Sequence, residues 1–310
     1  MSSQESRLYD VVVVGELNVD LILNGDVTPA FGQVEQLVNQ ANLVLGSSSA
    51  IFACGAARLG LRTAFIGKVG DDPFGRFEVN ELIKRRVDVA GVVVDPKVKT
   101  GLTVILSRGA DRAILTYLGS ISALRYDEVN LSLIAQARHL HLGSYFLLDS
   151  LKPDIPALFE QARAHGLTVS LDTNYDPAER WNGGLRQALQ RADIFLPNEK
   201  EACAIAGLPQ VCEALERLAQ DTPAVAVKMG AQGAMARYGT TVVQSPPLPI
   251  TVVDTVGAGD TFDAGFVYGH LAGWSLEKTL RMGVVCGSLS TRQAGGIAGQ
   301  PTLEEAIQYL

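Results

Sequence analysis

The hydrophobic positions come in short unbroken runs. The first, Tyr9-Asp10-Val11-Val12-Val13-Val14-Gly15, is closed by glycine and reads as a strand buried on both faces of a parallel sheet. Shorter runs of the same kind recur at 64–67, 139–142, 168–172, 194–196 and 224–228. The stretches between them, 50–59, 74–85, 153–164, 185–191 and 199–206, carry apolar residues at helical spacing. Strand alternating with helix predicts βαβ units and an α/β fold with a mainly parallel sheet flanked by helices. The last third reads as helices over 258–271, 275–293 and 302–309, with Gly295-Gly296 between the last two.

Two segments break the rhythm. Roughly 18–45 and 99–118 are extended, with no helix between strands, and Asn24-Gly25-Asp26 and Arg108-Gly109-Ala110-Asp111 are turn signals. They predict a small β-sheet lid inserted in a single core domain spanning 1–310. In Arg112–Leu118 one strand face carries Ile114 and Leu118 and the other Ala113, Leu115 and Tyr117, so both faces are apolar. Leu102, Val104 and Leu106 against Ile105 repeat the pattern. The lid lacks a helix to cover its second face, and the expectation is a homodimer formed through it.

Composition narrows the function. The 310 residues include 26 basic and 33 acidic side chains, a net charge of −7, with no basic block, so nucleic acid is not expected as a partner. A 47% hydrophobic, 19% charged chain is globular rather than disordered. Neither a signal-peptide pattern nor a membrane-length apolar run is seen, and a cytoplasmic protein without membrane contact is expected. Cys54, Cys203, Cys212 and Cys286 show no CxxC spacing and read as reduced thiols.

The densest chemistry lies in Asp254-Thr255-Val256-Gly257-Ala258-Gly259-Asp260-Thr261-Phe262-Asp263-Ala264-Gly265. Small residues at 257–259 permit a tight turn, and the helix that follows exposes unpaired N–H groups at the positive end of its dipole, an anion site. Asp260 in the first helical turn is placed to act as a general base beside a bound phosphate, or simply to cap the helix.

This stretch resembles the C-terminal signature of the ribokinase-like (PfkB) carbohydrate kinase family, and the resemblance runs in order from Gly15 to Gly296. It implies ATP-dependent transfer of a phosphoryl group to a sugar hydroxyl, with Asp260 as base and Gly257, Ala258 and Gly259 as anion hole. Gly15-Glu16-Leu17-Asn18-Val19-Asp20 resembles the first-strand motif, which makes Asn18 and Asp20 sugar ligands; Gly46, Asp172 and Asn174 join them on the same ground. The loop at Gly67–Gly75 resembles a structural family loop, with Asp71 and Pro73 starting the next helix. Asn198-Glu199-Lys200-Glu201 is similar to the N-x-x-E motif and implies a Mg²⁺ held by Glu201 through water, although Asn198 and Glu201 alone also make a capping box. Lys228, Gly230 and Gly233 resemble the nucleotide loop. Family members respond to K⁺ bound by carbonyls near the anion hole, which implies a site at Asp254 and Val256.

Two departures bear on the acceptor. Ile51 stands where the family commonly offers asparagine, and Asp176 replaces the arginine of a D-x-N-x-R segment, so an anionic acceptor group is not expected to be welcome there. Alternatives are a nucleoside kinase of the same fold and a non-catalytic sugar or nucleotide sensor. A serine hydrolase is disfavoured because Ala50 breaks G-x-S-x-G, and no dinucleotide fingerprint appears. His139 and His141 read as structural.

Overall fold

The computed structural model describes residues 7–108 and 111–310, so Gly109 and Ala110 of the expected turn lie outside the described residues. In chain order the strands are β1 Tyr9–Val14, β2 Asn18–Asn24, β3 Gln40–Leu45, β4 Thr63–Gly70, β5 Val87–Asp95, β6 Gly101–Arg108, β7 Asp111–Tyr117, β8 Ala137–Leu142, β9 Thr168–Leu171, β10 Ile194–Phe195, β11 Ala224–Lys228, β12 Ala234–Tyr238 and β13 Thr241–Ser245. The helices are α1 Ser48–Arg58, α2 Pro73–Lys84, α3 Leu131–Ile134, α4 Ile155–Ala164, α5 Leu185–Leu189, α6 Glu199–Ala206, α7 Val211–Leu218, α8 Ala258–Leu271, α9 Leu276–Ser290 and α10 Leu303–Ile307.

A nine-stranded sheet runs β13-β12-β11-β10-β9-β8-β1-β4-β5, parallel from β11 to β5 and closed by the antiparallel hairpin β12-β13. The valines of β1 show why it sits centrally. Val12 and Val14 join the core under α3 to α7, whereas Val11 and Val13 join the core under α1, α2, α8, α9 and α10. Alternation along one buried strand thus feeds two layers of helix.

The segments that broke the rhythm form a separate sheet, β3-β2-β6-β7, as expected. It is mixed: β2 pairs β6 in parallel and the outer pairs are antiparallel. The register puts Asp20, Thr103 and Thr116 in one row on the face toward the large sheet. Among the described residues all four cysteines are free, and no helix is long and apolar enough to cross a membrane.

The start of α2 differs from the sequence reading. Asp72, not Asp71, caps α2, its carboxylate accepting from Gly75 N at 2.9 Å with Pro73 following, while Asp71 pairs with Arg76 on the surface. His139 and His141 are buried on β8 as expected, bonded to Thr168 and Ser170 hydroxyls, with His141 stacked 3.7 Å from Phe52.

Candidate active site

A cleft of about 1910 Å³ opens between the two sheets, at the carboxyl ends of the parallel strands. Strand after strand delivers one polar group there: Glu16 after β1, Ser144 after β8, Asp172 after β9, Asn198 after β10 and Lys228 at the end of β11. A crevice at the carboxyl ends is where open α/β sheets place ligands, because the turn into each helix leaves side chains and N–H groups unpaired.

The small sheet supplies one wall. Asn18 Nδ2 donates to Asp20 Oδ1 at 2.9 Å and to Thr103 Oγ1 at 3.3 Å, and Thr103 meets the Thr116 hydroxyl at 3.2 Å. Burial pushes the Asp20 carboxyl up to about 7, and the neighbouring Glu16 adds to the shift. Gly46 does not line the cleft; its part is to leave room, since a Cβ there would lie 2.3 Å from Asp20 Oδ1. Opposite, Asn174 N donates to Asp172 Oδ1 at 3.0 Å and Asn174 Nδ2 to Ser144 Oγ at 2.7 Å. Ser47, Ser144 and Asn174 all have positive φ, at 67°, 54° and 52°, so backbone strain gathers on the cleft.

The floor is the start of α8. Gly257 at φ 70° is the N-cap and makes no side-chain cap. Ala258 N donates to Thr255 O at 3.3 Å; among the described residues the N–H groups of Gly257, Gly259 and Asp260 have no protein acceptor. Asp260 does not cap the helix with its carboxylate. It lies buried on the cleft, its carboxyl pushed up to about 8, first by burial and then by the charge of Asp172, against the opposing pull of Lys228. Ile51 lines the cleft and packs against this loop, since a Cβ on Gly257 or Gly296 would strike its side chain at 2.9 or 2.5 Å.

At the other end, Asn198 and Glu201 form the capping box of α6, with Asn198 N to Glu201 Oε2 at 2.9 Å and Glu201 N to Asn198 Oδ1 at 3.0 Å. Burial, with the Asp172 charge, pushes Glu201 up to about 7. Its oxygens, already accepting from Asn198, face the cleft and suit a cation held through water rather than directly. Gly230 and Gly233 line the same end; Gly233 is required by packing, because a Cβ would lie 2.0 Å from Ser245 O. Lys228 Nζ is bonded to Asp172 at 2.9 Å and to Asp263 at 3.0 and 3.1 Å rather than reaching free into the cleft.

Matched along residues 9–303, the chain fits the model of the pfkB family of carbohydrate kinases. The chain belongs to that family. The kinase is therefore a phosphotransferase with an alcohol group as acceptor. Among its relatives is a 5-dehydro-2-deoxygluconokinase of Geobacillus thermodenitrificans, 30% identical over 99% of this chain and 94% of that protein. Among solved structures, Arabidopsis thaliana ribokinase with ribose and ATP superposes with a TM-score of 0.84 at 24% identity, covering 97% of this chain and 98% of that one. An Escherichia coli protein described as a ribokinase II, bound to ATP and Mg²⁺, gives 0.84 at 24% identity over 97% and 99% of the two chains. These likenesses show a ribokinase-like fold for the kinase.

Two further carboxylates of the kinase are engaged by backbone. Asp176 does not line the cleft, and its carboxylate accepts backbone N–H from Ala178, Arg180 and Trp181 at 2.9, 2.9 and 2.7 Å. Asp254 accepts backbone N–H on both carboxylate oxygens, from Val256 at 3.0 Å and from Gly295 at 2.9 Å. Glu16, Ser47, Ser144 and Asp263 were not singled out from sequence. Glu16 and Ser144 follow strand ends, and that position was the available signal.

Proposed function

We propose that the kinase transfers the γ-phosphoryl group of ATP to a sugar hydroxyl, with Asp260 as general base. What carries this reading is a buried carboxylate that makes no helix cap, in the same turn as N–H groups without a protein acceptor. The acceptor lies against Asn18, Asp20, Asp172 and Asn174, and a carboxylate such as Asp20 accepts two hydroxyl protons at once. The nucleotide lies along Asn198, Gly230 and Gly233, its γ-phosphate over residues 257–259.

Asp260 accepts the proton of the attacking hydroxyl, and the N–H groups of Gly257 and Gly259 stabilise charge on the transferring group. Glu201 would hold Mg²⁺ through water, and the ion would supply neutralisation of phosphate charge. K⁺ at the carbonyls of Asp254 and Val256 is part of the proposal, with no step assigned to it. The small sheet acts as a lid that excludes water during transfer.

Its outer face is read as a dimer surface. The register makes that face apolar in every row, from Val19–Leu45–Leu102–Tyr117 at the core end to Leu21–Leu43–Val104–Leu115 and Leu23–Ala41–Leu106–Ala113 beyond it. Leu43, Leu115 and Tyr117 are exposed in the single chain.

A coupled assay of ADP release over ribose, ketoses, nucleosides and sugar acids, including 5-dehydro-2-deoxygluconate, tests the transfer. ADP release that requires both Mg²⁺ and one class of hydroxyl acceptor is expected. Release at the same rate without any acceptor contradicts it.

A further inference from the structure

We propose that Lys228 is a positioning residue for the base: its ammonium, clamped between Asp172 and Asp263 beneath the first turn of α8, offsets the Asp172 charge at Asp260 and keeps the base able to ionise in a buried place. This rests on the reading of Asp260 as base and adds to it a residue that never touches the acceptor.

The geometry is specific. Asp263 stands three residues after Asp260, on the same face of α8, so the helix carries two carboxylates side by side. Asp172 arrives from the end of β9, and one oxygen from each of Asp172, Asp260 and Asp263 falls within 4.8 Å of the others. Three buried carboxylates that close read as a cation site, and the cation is already present. Lys228 Nζ meets Asp172 Oδ2 at 2.9 Å and the two Asp263 oxygens at 3.0 and 3.1 Å, which occupies all three of its protons. It sits directly beneath the anion loop, since a Cβ on Gly259 would lie 3.6 Å from it. With its donors taken, the ammonium acts on the reaction through the carboxylates rather than by grasping a phosphate.

Charge balance then decides what Lys228 does. Asp172 is held below the usual carboxylate range by Lys228 despite its burial, while burial drives Asp263 well above it. The clamp thus sets one ammonium between two carboxyl groups beneath the base. The other groups that face Asp260 are Glu16 from the end of β1, itself pushed up by burial, and the Ser48 hydroxyl of α1. Glu201 of α6 acts on Asp172 and Lys228, and His141 of β8 behind them is held neutral by burial. Lys228 is thus the cation acting on Asp260 among these groups. Without it no cation among these groups opposes the burial and the carboxyl groups around Asp260.

The test is the pH dependence of kcat/KM in the full chain for wild type, Lys228→Met, Lys228→Gln and the Lys228→Met/Asp172→Asn double variant. Removing the cation is expected to move the acid limb to higher pH by about one unit or more in Lys228→Met, the size of shift a charge at this range produces. Lys228→Gln retains N–H donors for the two carboxylates without the charge; it carries the same expectation should the Met variant fail to fold. In the double variant both charges are gone and the limb is expected to return toward the wild-type position, whatever the loss in acceptor binding. A folded Met or Gln variant whose activity falls by the same factor at every pH, with the limb unmoved, overturns the proposal. So does a double variant whose limb stays as high as that of Lys228→Met. Turnover that survives in Asp260→Asn removes the base reading instead, and is told apart because it does not depend on position 228.

Discussion

Asp20 holds a carboxyl where water scarcely reaches, and its ordinary pKa is pushed up to about 7 by that burial. A carboxyl raised in the folded state binds its proton more tightly there than in the unfolded chain. Its stabilising contribution is complete below pH 4 and is lost as pH rises through about 7. Asp20→Asn is accordingly expected to raise the midpoint of thermal unfolding, more at pH 8 than at pH 5, while weakening acceptor binding at least tenfold and leaving nucleotide binding near its original strength. Calorimetry with each ligand and scans at the two pH values check both halves. Gly46→Ala tests the same wall from the other side: its Cβ would displace the Asp20 carboxylate, so KM for the acceptor is expected to rise well before kcat falls. At this scale the sequence was informative where a residue belongs to a contiguous motif, as Asn18, Asp20 and Asp260 do. Asp263 lay inside the best motif of the chain and still went unread, because its partner Lys228 is brought to it only by the order of strands in the sheet.

Among the elements, α8 carries the proposed base, and its N-cap is constrained twice. Gly257 has φ of 70°, and a Cβ there would lie 2.7 Å from both Cα and O of Gly296. Gly257→Ala is expected to lower kcat by about a hundredfold or more, in line with loss of an oxyanion-type donor, and to lower stability as well. Normal turnover in a folded Gly257→Ala enzyme contradicts the part given to this loop. The α6 cap carries a smaller expectation: Asn198→Ala removes a reciprocal cap and is expected to cost about 1 kcal/mol of stability in denaturant titration. The long elements were legible because one period ran through each; 224–228, 199–206 and 258–271 match the observed β11, α6 and α8 to the residue. The amphipathic α7 was not read, although Ala214, Leu215 and Leu218 lie at helical spacing on its buried side. The hairpin β12-β13 and the strand β5 were missed as well. β13 and β5 sit at the two edges of the sheet, where partial exposure dilutes the apolar pattern that marked the central strands.

The whole molecule opens its cleft between two sheets of opposite character, one buried on both faces and one wetted on a side whose residues are apolar. Alternation in the strands showed that β6 and β7 had two apolar faces; only their register showed that one face, with Ile105, Ile114 and Thr116, turns to the cleft and the other to solvent. Light scattering at micromolar concentration is expected to give twice the mass of the chain, and Leu115→Glu is expected to halve it; a monomeric parent protein leaves the outer face to some other cover. The central claim concerns the base. Asp260→Asn, assayed beside wild type for transfer of the γ-phosphoryl group from ATP, with ligand binding followed by calorimetry, tests it most directly. The account predicts a fall in kcat on the order of 10²–10⁴ with acceptor and nucleotide still bound. Turnover within a few-fold of wild type would contradict it.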